Sequence, residues 1–257
     1  MKILVLTSGY TATRDIIMED FGRQTRLFEA LGKFKHNIDF FVADYRKFEN
    51  KNTSLHKIKV FIRAFSIFHF FSFIVKLKNK IKNEKYDLLI ATSDPLWGSI
   101  GYFISKKYKI KFLYDLHDNY ETYATYKIPF FRYLDRFVIK RADIVTAVSY
   151  SLKDKIKNIR KNIFAIQNGV DVGLFMPLNK YKCRKDLKLP KDAKIIAYTG
   201  SLQRLQGINV LIKAFNSLKK DIPDLYLLVS GRFLKGEERY INLKQEGIIY
   251  LGGSLSQ

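Results

Sequence analysis

Three stretches of the chain carry residue types that could do chemistry. The first is Asp115-Leu116-His117-Asp118, a histidine among carboxylates directly after an apolar run. An imidazole beside a carboxylate can relay a proton, or hydrogen-bond a hydroxyl or phosphate, near neutral pH. The plainer reading makes Asp118 a helix cap and His117 a gap filler. The second stretch is the loop Thr199–Gly207 (TGSLQRLQG), between an apolar run and a helical pattern. There Gly200 allows a tight turn, Gly207 a close backbone approach, and Arg204 adds positive charge. Free N–H groups at a helix start favour phosphate, although an ordinary strand-to-helix turn would use the same glycines. The third stretch is Lys51–Lys85, with six Phe between Phe61 and Phe73. Nine Lys and Arg against two Asp and Glu lie between Lys51 and Ile90. That is the composition of an interfacial membrane helix, or of a core helix with solvated lysines. His36, His56 and His69 are scattered and Cys183 stands alone, so neither a metal site nor a disulfide framework is expected.

Composition bounds these readings. The 257 residues are 47% hydrophobic with 14 Gly and 5 Pro, which excludes a disordered or collagen-like chain. A formal net charge of +22 favours an anionic partner. An excess of Lys (33) over Arg (13) is also what an AT-rich genome produces without any partner. No helix-turn-helix, RNA-recognition or zinc-finger pattern is present, so nucleic acid is not the expected partner. Met1–Leu6 enters an apolar run without the features of a signal peptide. Val60–Val75 is 16 residues and includes Arg63 and His69, short of the roughly 20 apolar residues of a spanning helix. The expected location is cytoplasmic, at most peripheral on the inner face of the membrane.

The elements that must position these residues alternate between strand-like and helical patterns, the signal of a parallel sheet wrapped by helices. Strands are expected at Met1–Leu6, Asn37–Ala43, Tyr86–Ala91, Lys111–Tyr114, Ile144–Val148 and Ile163–Ile166. Helices are expected at Phe21–Phe34, through Lys82, and at Trp97–Lys107, Phe130–Arg141 and Ser151–Ile159. Six strands make a complete doubly wound domain over residues 1–175. The proline-bracketed, basic stretch Pro177–Pro190 reads as a linker, placed at 176–190. The pattern restarts with strands at Lys194–Tyr198, Leu225–Val229 and Ile248–Leu251 and a helix at Ile208–Lys219, giving a partial second Rossmann-type domain over 191–257. In open sheets of this kind ligands sit beyond the carboxyl ends of the strands. Both His117 and the Gly200 loop fall there.

At this point the residues resemble a family. Asn168-Gly169-Val170-Asp171 followed by Phe175 and Pro177 is similar to the N-G-V-D-x-x-x-F-x-P hinge of the family 4 retaining glycosyltransferases of GT-B fold. Ala142–Ser149 (ADIVTAVS) is similar to their A-D-x-V-x-x-V-S strand. Ser93-Asp94-Pro95 and Tyr114–Asp118 look like their acceptor-domain strands, and Pro223–Gly231 like their P-x-L-x-L-x-x-x-G strand. The resemblance implies retaining transfer of a sugar from a nucleotide-sugar donor to a glycan or lipid-linked acceptor, without metal or other cofactor. It places His117 and Asp118 at the reaction centre and Gly200, Ser201, Arg204, Gly207 and Gly231 on the donor. The acceptor falls near Gly9, Tyr10, Gly22 and Arg23, and a hinge at Asn168 and Gly169. A basic, Phe-rich helix at Lys51–Lys85 would suit a peripheral enzyme on an anionic membrane surface. Three departures stand out. Ser201 and Gln206 replace the Arg and Lys of the family's G-R-L-x-x-x-K-G loop, and Gly9 with a distant Gly22 replaces its glycine doublet. The chain also stops before the family's E-x-x-x-x-x-x-x-E motif. A truncated or split enzyme completed by a second chain is therefore expected. The alternative is a non-catalytic membrane-binding protein on the same scaffold; an unrelated Rossmann enzyme is disfavoured by the lack of G-x-G-x-x-G after Leu6.

Overall fold

The computed structural model describes residues 1–11, 14–20 and 22–253, so Phe21, the expected start of the first helix, and the last four residues of the expected second domain lie outside the described residues. The chain divides into two compact units, Met1–Val170 and Asp171–Gln257. The first begins with β1 (Lys2–Ser8), the antiparallel pair β2 (Tyr10–Thr11) and β3 (Arg14–Asp15), then α1 (Arg23–Lys33). Next come β4 (Asn37–Asp44), β5 (Lys51–Leu55), β6 (Ile58–Ala64) and α2 (Phe70–Glu84). It closes with β7 (Leu88–Ala91), α3 (Pro95–Tyr108), β8 (Lys111–Leu116), α4 (Phe131–Arg141), β9 (Ile144–Ala147), α5 (Tyr150–Ile156) and β10 (Phe164–Ala165).

Eight of these strands form one sheet in the order β10-β9-β8-β7-β1-β4-β6-β5, parallel except for β5, which pairs antiparallel with β6. Its central strands carry continuous apolar runs, Ile3–Leu6, Phe40–Ala43 and Leu88–Ala91, because both faces are covered: Leu4, Leu6 and Leu89 pack into one core with α2 and α3, while Ile3, Val5 and Ile90 pack into another with Phe28 of α1. Helix α3 lies unusually close to the sheet. A Cβ on Gly98 would stand 2.4 Å from the Tyr114 ring, and one on Gly101 2.8 Å from Phe112. Asp94 starts α3 by accepting the Leu96 N–H at 2.8 Å, with Pro95 at the first helical position.

The structure corrects one expected element. Lys51–Lys85 is not a single basic, Phe-rich helix: its first half is the hairpin β5–β6 at the sheet edge, and only Phe70–Glu84 is helical. The residues of β6 alternate in burial as a half-covered strand should, with Ile58, Val60, Ile62 and Ala64 inward.

The second unit holds α6 (Lys180–Asp186), a seven-residue helix inside the stretch read as linker, capped by the Asn179 side chain on the Lys182 N–H. It continues with β11 (Lys194–Thr199), α7 (Ile208–Asp221), β12 (Leu225–Ser230) and β13 (Ile248–Tyr250), the three strands forming a parallel sheet in chain order. On β12 the buried residues are Leu225, Leu227 and Val229, packed with Ile208, Ile212 and Phe215 of α7; Tyr226, Leu228 and Ser230 are half-buried.

Candidate functional site

The carboxyl ends of β1, β7 and β8 meet at a cleft of about 390 Å³ in the first unit. Its wall includes Ser8, Tyr10, Ser93, Asp94 and His117, together with the aromatic rings of Tyr45, Phe65, Trp97 and Tyr123. Beneath it lies a buried polar network. Asp115 accepts from Thr146 Oγ1 at 2.6 Å, Thr92 Oγ1 at 3.1 Å and Arg23 Nη2 at 3.2 Å. Arg23 and Asp115 form an ion pair with side chains only 6% and 3% exposed. Arg23 Nη1 also donates to Asn168 Oδ1 at 3.2 Å, so one guanidinium ties α1 to β8 and the segment after β10, and Asp115 extends the network to β9 and the residue after β7.

His117 stands on this base. Its Nδ1 accepts the Ser93 backbone N–H at 3.1 Å and lies 2.9 Å from the Tyr120 hydroxyl. A backbone amide can only donate, so the neutral ring carries its proton on Nε2. Burial lowers the imidazole pKa, opposed by the Asp115 and Asp118 carboxylates and reinforced by Arg23. Neutral His117 is thus a fixed hydrogen-bond donor beside the cleft. The sign for stability follows. A histidine whose pKa is lowered from 6.5 on folding contributes stability that is present above pH 6.5 and lost as pH falls through the folded value, because the unfolded chain takes up the proton first. Unfolding followed through Trp97 fluorescence is expected to show stability dropping below pH 6.5, and the drop should shrink in His117→Gln. An unchanged slope would show that the ring is not held neutral.

Ser93, which donates to His117, has φ of 84°, a left-handed conformation unfavourable for a non-glycine residue. Its hydroxyl bonds Thr7 Oγ1 and lies 3.5 Å from Gln24 Nε2, and these contacts hold the strained turn in place. Asp94 contributes the carboxyl group of the cleft wall. Its Oδ2 accepts from Thr125 Oγ1 at 3.1 Å, and burial raises its pKa despite that bond and the Leu96 N–H.

The residues singled out in the sequence take different places. Tyr10 lines the cleft and donates to Asp44 Oδ1 at 3.0 Å, with the Arg46 guanidinium 4.5 Å from its ring centroid. Gly9 instead packs against β4, where a Cβ would lie 3.3 Å from the Ala43 carbonyl oxygen. Gly22 precedes α1 with φ of 97°, and Arg23 is held in the buried ion pair. Asp118 accepts from the Tyr123 hydroxyl at 3.1 Å and from the Asn119 N–H at 2.7 Å, and it borders a separate cavity of about 120 Å³. Asn168 and Gly169 fall just before the boundary between the units. Of the cleft wall, Asp94 lay in the Ser93-Asp94-Pro95 segment of the resemblance but was not singled out as a site residue. The four rings carried no signal, since they come from four separate segments. Among the described residues no three His, Cys, Asp or Glu side chains group closely enough to hold a metal ion.

In the second unit, Gly200 and Gly231 meet at the carboxyl edge of β11 and β12. The Gly200 N–H donates to the Ser230 carbonyl at 3.0 Å, and a Cβ on Gly231 would stand 1.7 Å from the Gly200 carbonyl oxygen. Gly207 precedes α7 with φ of 78°. The Ser201 carbonyl accepts the Tyr198 hydroxyl at 2.9 Å. Arg204 is engaged within this unit: its backbone N–H and Nε reach Glu237 Oε2 at 2.9 and 3.2 Å, and its guanidinium lies 3.9 Å from the Tyr240 ring centroid. The Arg204 N–H holds the Glu237 carboxyl below the usual range.

The family comparison decides the assignment. The model of Glycosyltransferase Family 4 matches residues 25–174, more than half of the chain, and that of Glycosyl transferases group 1 matches residues 179–248. The chain belongs to Glycosyltransferase Family 4. Its fold class is GT-B, with two Rossmann-type units. Anabaena HepE in complex with UDP superposes with a TM-score of 0.74 at 19% identity, over 99% of this family 4 chain and 70% of that one. Among curated relatives, a D-inositol 3-phosphate glycosyltransferase of Segniliparus rotundus is 32% identical over 89 residues, 35% of this chain and 19% of its own. N-acetyl-alpha-D-glucosaminyl L-malate synthase of Bacillus anthracis is 23% identical over 219 residues, 80% of this chain and 56% of its own. The family 4 chain thus spans from about a fifth to a little over half of these two relatives' lengths. No helix among the described residues is long and apolar enough to cross a membrane.

Proposed function

We propose that this chain takes part in transfer of a sugar from a nucleotide-sugar donor to a hydroxyl of a glycan or lipid-linked acceptor, with retention of anomeric configuration. The observation that carries the reading is the neutral imidazole of His117, locked as an Nε2–H donor at the rim of an aromatic-walled cleft on the carboxyl edge of the sheet. Sugar rings stack their C–H faces on aromatic side chains, and the rings of Trp97, Phe65, Tyr45 and Tyr123 supply such faces. Asp94 accepts the acceptor hydroxyl. His117 Nε2–H steadies a hydroxyl of the sugar in transit. Both act as preorganised groups rather than by adjusting during the reaction.

On the donor side, the Gly200 and Gly231 N–H groups are taken by the Ser230 and Gly252 carbonyls and the Arg204 N–H by Glu237, so the group that meets a diphosphate placed there is the start of α7. Since the Arg204 guanidinium is drawn to Glu237, that helix start carries the binding more than a side chain does. HepE forms a complex with UDP, which makes uridine nucleotides the first to test here. Calorimetric UDP binding and transfer from UDP-sugars to a panel of glycan and lipid-linked acceptors should separate two effects of His117→Ala. Transfer is expected to fall by about a hundredfold or more, in the range of a lost positioned catalytic contact, with UDP affinity nearly unchanged. Equal losses in both would refute the place given to His117. Binding to lipid without any nucleotide effect would favour the non-catalytic reading.

A further inference from the structure

The hairpin that replaces half of the expected basic helix changes where a membrane contact can form. Between Phe65 and Phe70 the chain turns from β6 into α2 and presents Ile67 and Phe68, 84% and 92% exposed, followed by Phe71 at 79%. Large apolar side chains this open are uncommon when they adjoin one another. They continue an aromatic series out of the cleft: Trp97 and Phe65 ring centroids are 4.7 Å apart, Phe65 and Phe70 6.3 Å, and Phe70 and Phe71 5.7 Å. On the same stripe of α2, at helical spacing, Phe71 and Val75 are followed by Lys78 and Lys82. Residues 65–83 include no Asp or Glu.

A second segment of the cleft lining repeats the arrangement. Thr125 lines the cleft, and three and five residues later Ile128 and Phe130 are 52% and 81% exposed. Lys127 and Arg132 flank them, and Asp135, the next carboxylate along the chain, is buried under the Tyr114 and Tyr126 hydroxyls. Both lips therefore leave the same edge of the sheet, each with exposed apolar side chains and basic neighbours.

We propose that these two lips dock the first unit on an anionic lipid bilayer, with Ile67, Phe68, Phe71 and Phe130 entering the headgroup–acyl boundary and the lysines and arginines meeting the headgroups. Apolar insertion of this size alone gives marginal binding, and added basic residues make it firm, each contributing about fivefold in affinity on an anionic surface. A neutral partner or a second copy of this chain, itself strongly basic, lacks that complementarity. Docked this way, the cleft opens toward the bilayer along the Trp97–Phe65–Phe70 series, the path an acceptor's lipid tail would take. This last point rests on the acceptor role proposed above; the docking does not.

The test is co-sedimentation of the full chain with vesicles of phosphatidylcholine alone and of equal parts phosphatidylcholine and phosphatidylglycerol, at low and high salt, with UDP affinity measured separately without vesicles. Binding is expected only on the phosphatidylglycerol vesicles and should weaken as salt shortens the screening length. Phe68→Ser and Phe71→Ser should each weaken it by about tenfold, and Phe130→Ser likewise, without changing thermal stability, because these side chains are already exposed. The proposal is overturned if the chain ignores anionic vesicles at low salt, or if lysine substitutions abolish binding while the Phe variants bind normally. It is also overturned if the wild type is a dimer that Phe68→Ser dissociates, since a second copy then covers the patch. Loss of UDP binding with vesicle binding intact would instead count against the transferase reading alone.

Discussion

Arg23→Met is expected to destabilise the first unit by about 3–5 kcal/mol, the usual effect of leaving a buried charge without its partner. Methionine retains most of the side-chain volume, so the loss is electrostatic rather than a cavity. What remains is the Asp115 carboxylate, 3% exposed as a side chain and left with only the Thr92 and Thr146 hydroxyls. Two neutral donors do not offset the desolvation of a full charge. The double variant Arg23→Met/Asp115→Asn removes both charges and should recover most of the loss, since a neutral pair of similar shape often matches a buried ion pair. Urea unfolding followed through Trp97 isolates this effect: it is the one tryptophan of the chain and is buried in the first unit. A single variant as stable as the wild type would mean that water reaches Asp115. A double variant no better than the single would mean that Arg23 acts through packing. The ion pair also connects to the site, because Asp115 lies two residues before His117 and Thr92, which donates to Asp115, directly precedes Ser93. Arg23 is accordingly a positioning residue for the cleft.

The resemblance placed Arg23 near the acceptor, and nothing in the local residues shows that Asp115, 92 positions away, pairs with it. The strands were legible because each carries a continuous apolar run, Ile3–Leu6, Phe40–Ala43 and Leu88–Ala91, as a sheet covered on both faces needs. The hairpin β5–β6 was hidden by its turn. His56 and Lys57 both take left-handed φ, 47° and 68°, where a two-residue turn ordinarily uses Asn or Gly. His56 is steadied there by Asp20, 2.7 Å from its Nε2. Without a turn signal, the run of Phe residues through Phe73 read as one helix. That His117 would face a cleft was legible, because it follows directly on an apolar strand at the carboxyl edge of the sheet. Its protonation state was not, since that depends on the Ser93 amide and on burial that only folding supplies. Arg204 shows the same limit in the second unit, where Glu237, 33 residues away, sets its direction.

Gly231→Ala is expected to disrupt the carboxyl edge of the second unit's sheet more severely than any other single methyl added there. A Cβ at this position would sit 1.7 Å from the Gly200 carbonyl oxygen and 2.9 Å from its carbon. Backbone cannot move aside as a side chain can, so β11 and β12 must part at their carboxyl ends. That breaks the 3.0 Å bond from the Gly200 N–H to the Ser230 carbonyl and the 2.9 Å bond from the Gly231 N–H to the Gly252 carbonyl. Overpacking of this kind costs about 3 kcal/mol or more when relief needs a backbone shift. Gly207→Ala is the comparison. Its φ of +78° is equally unsuited to a side chain, yet nothing lies within 4 Å of the added Cβ. Its loss should stay near the intrinsic left-handed penalty of about 1–2 kcal/mol. Native-state hydrogen exchange on the β12 amides reads the second unit without the first. Equal losses in the two variants would mean that φ alone governs both glycines and that β11 and β12 do not converge. If Gly231→Ala loses both amide protection and UDP binding while Gly207→Ala keeps most of each, then the backbone contact of Gly200 and Gly231 is what shapes the donor edge, in a loop where Arg204 is already committed to Glu237.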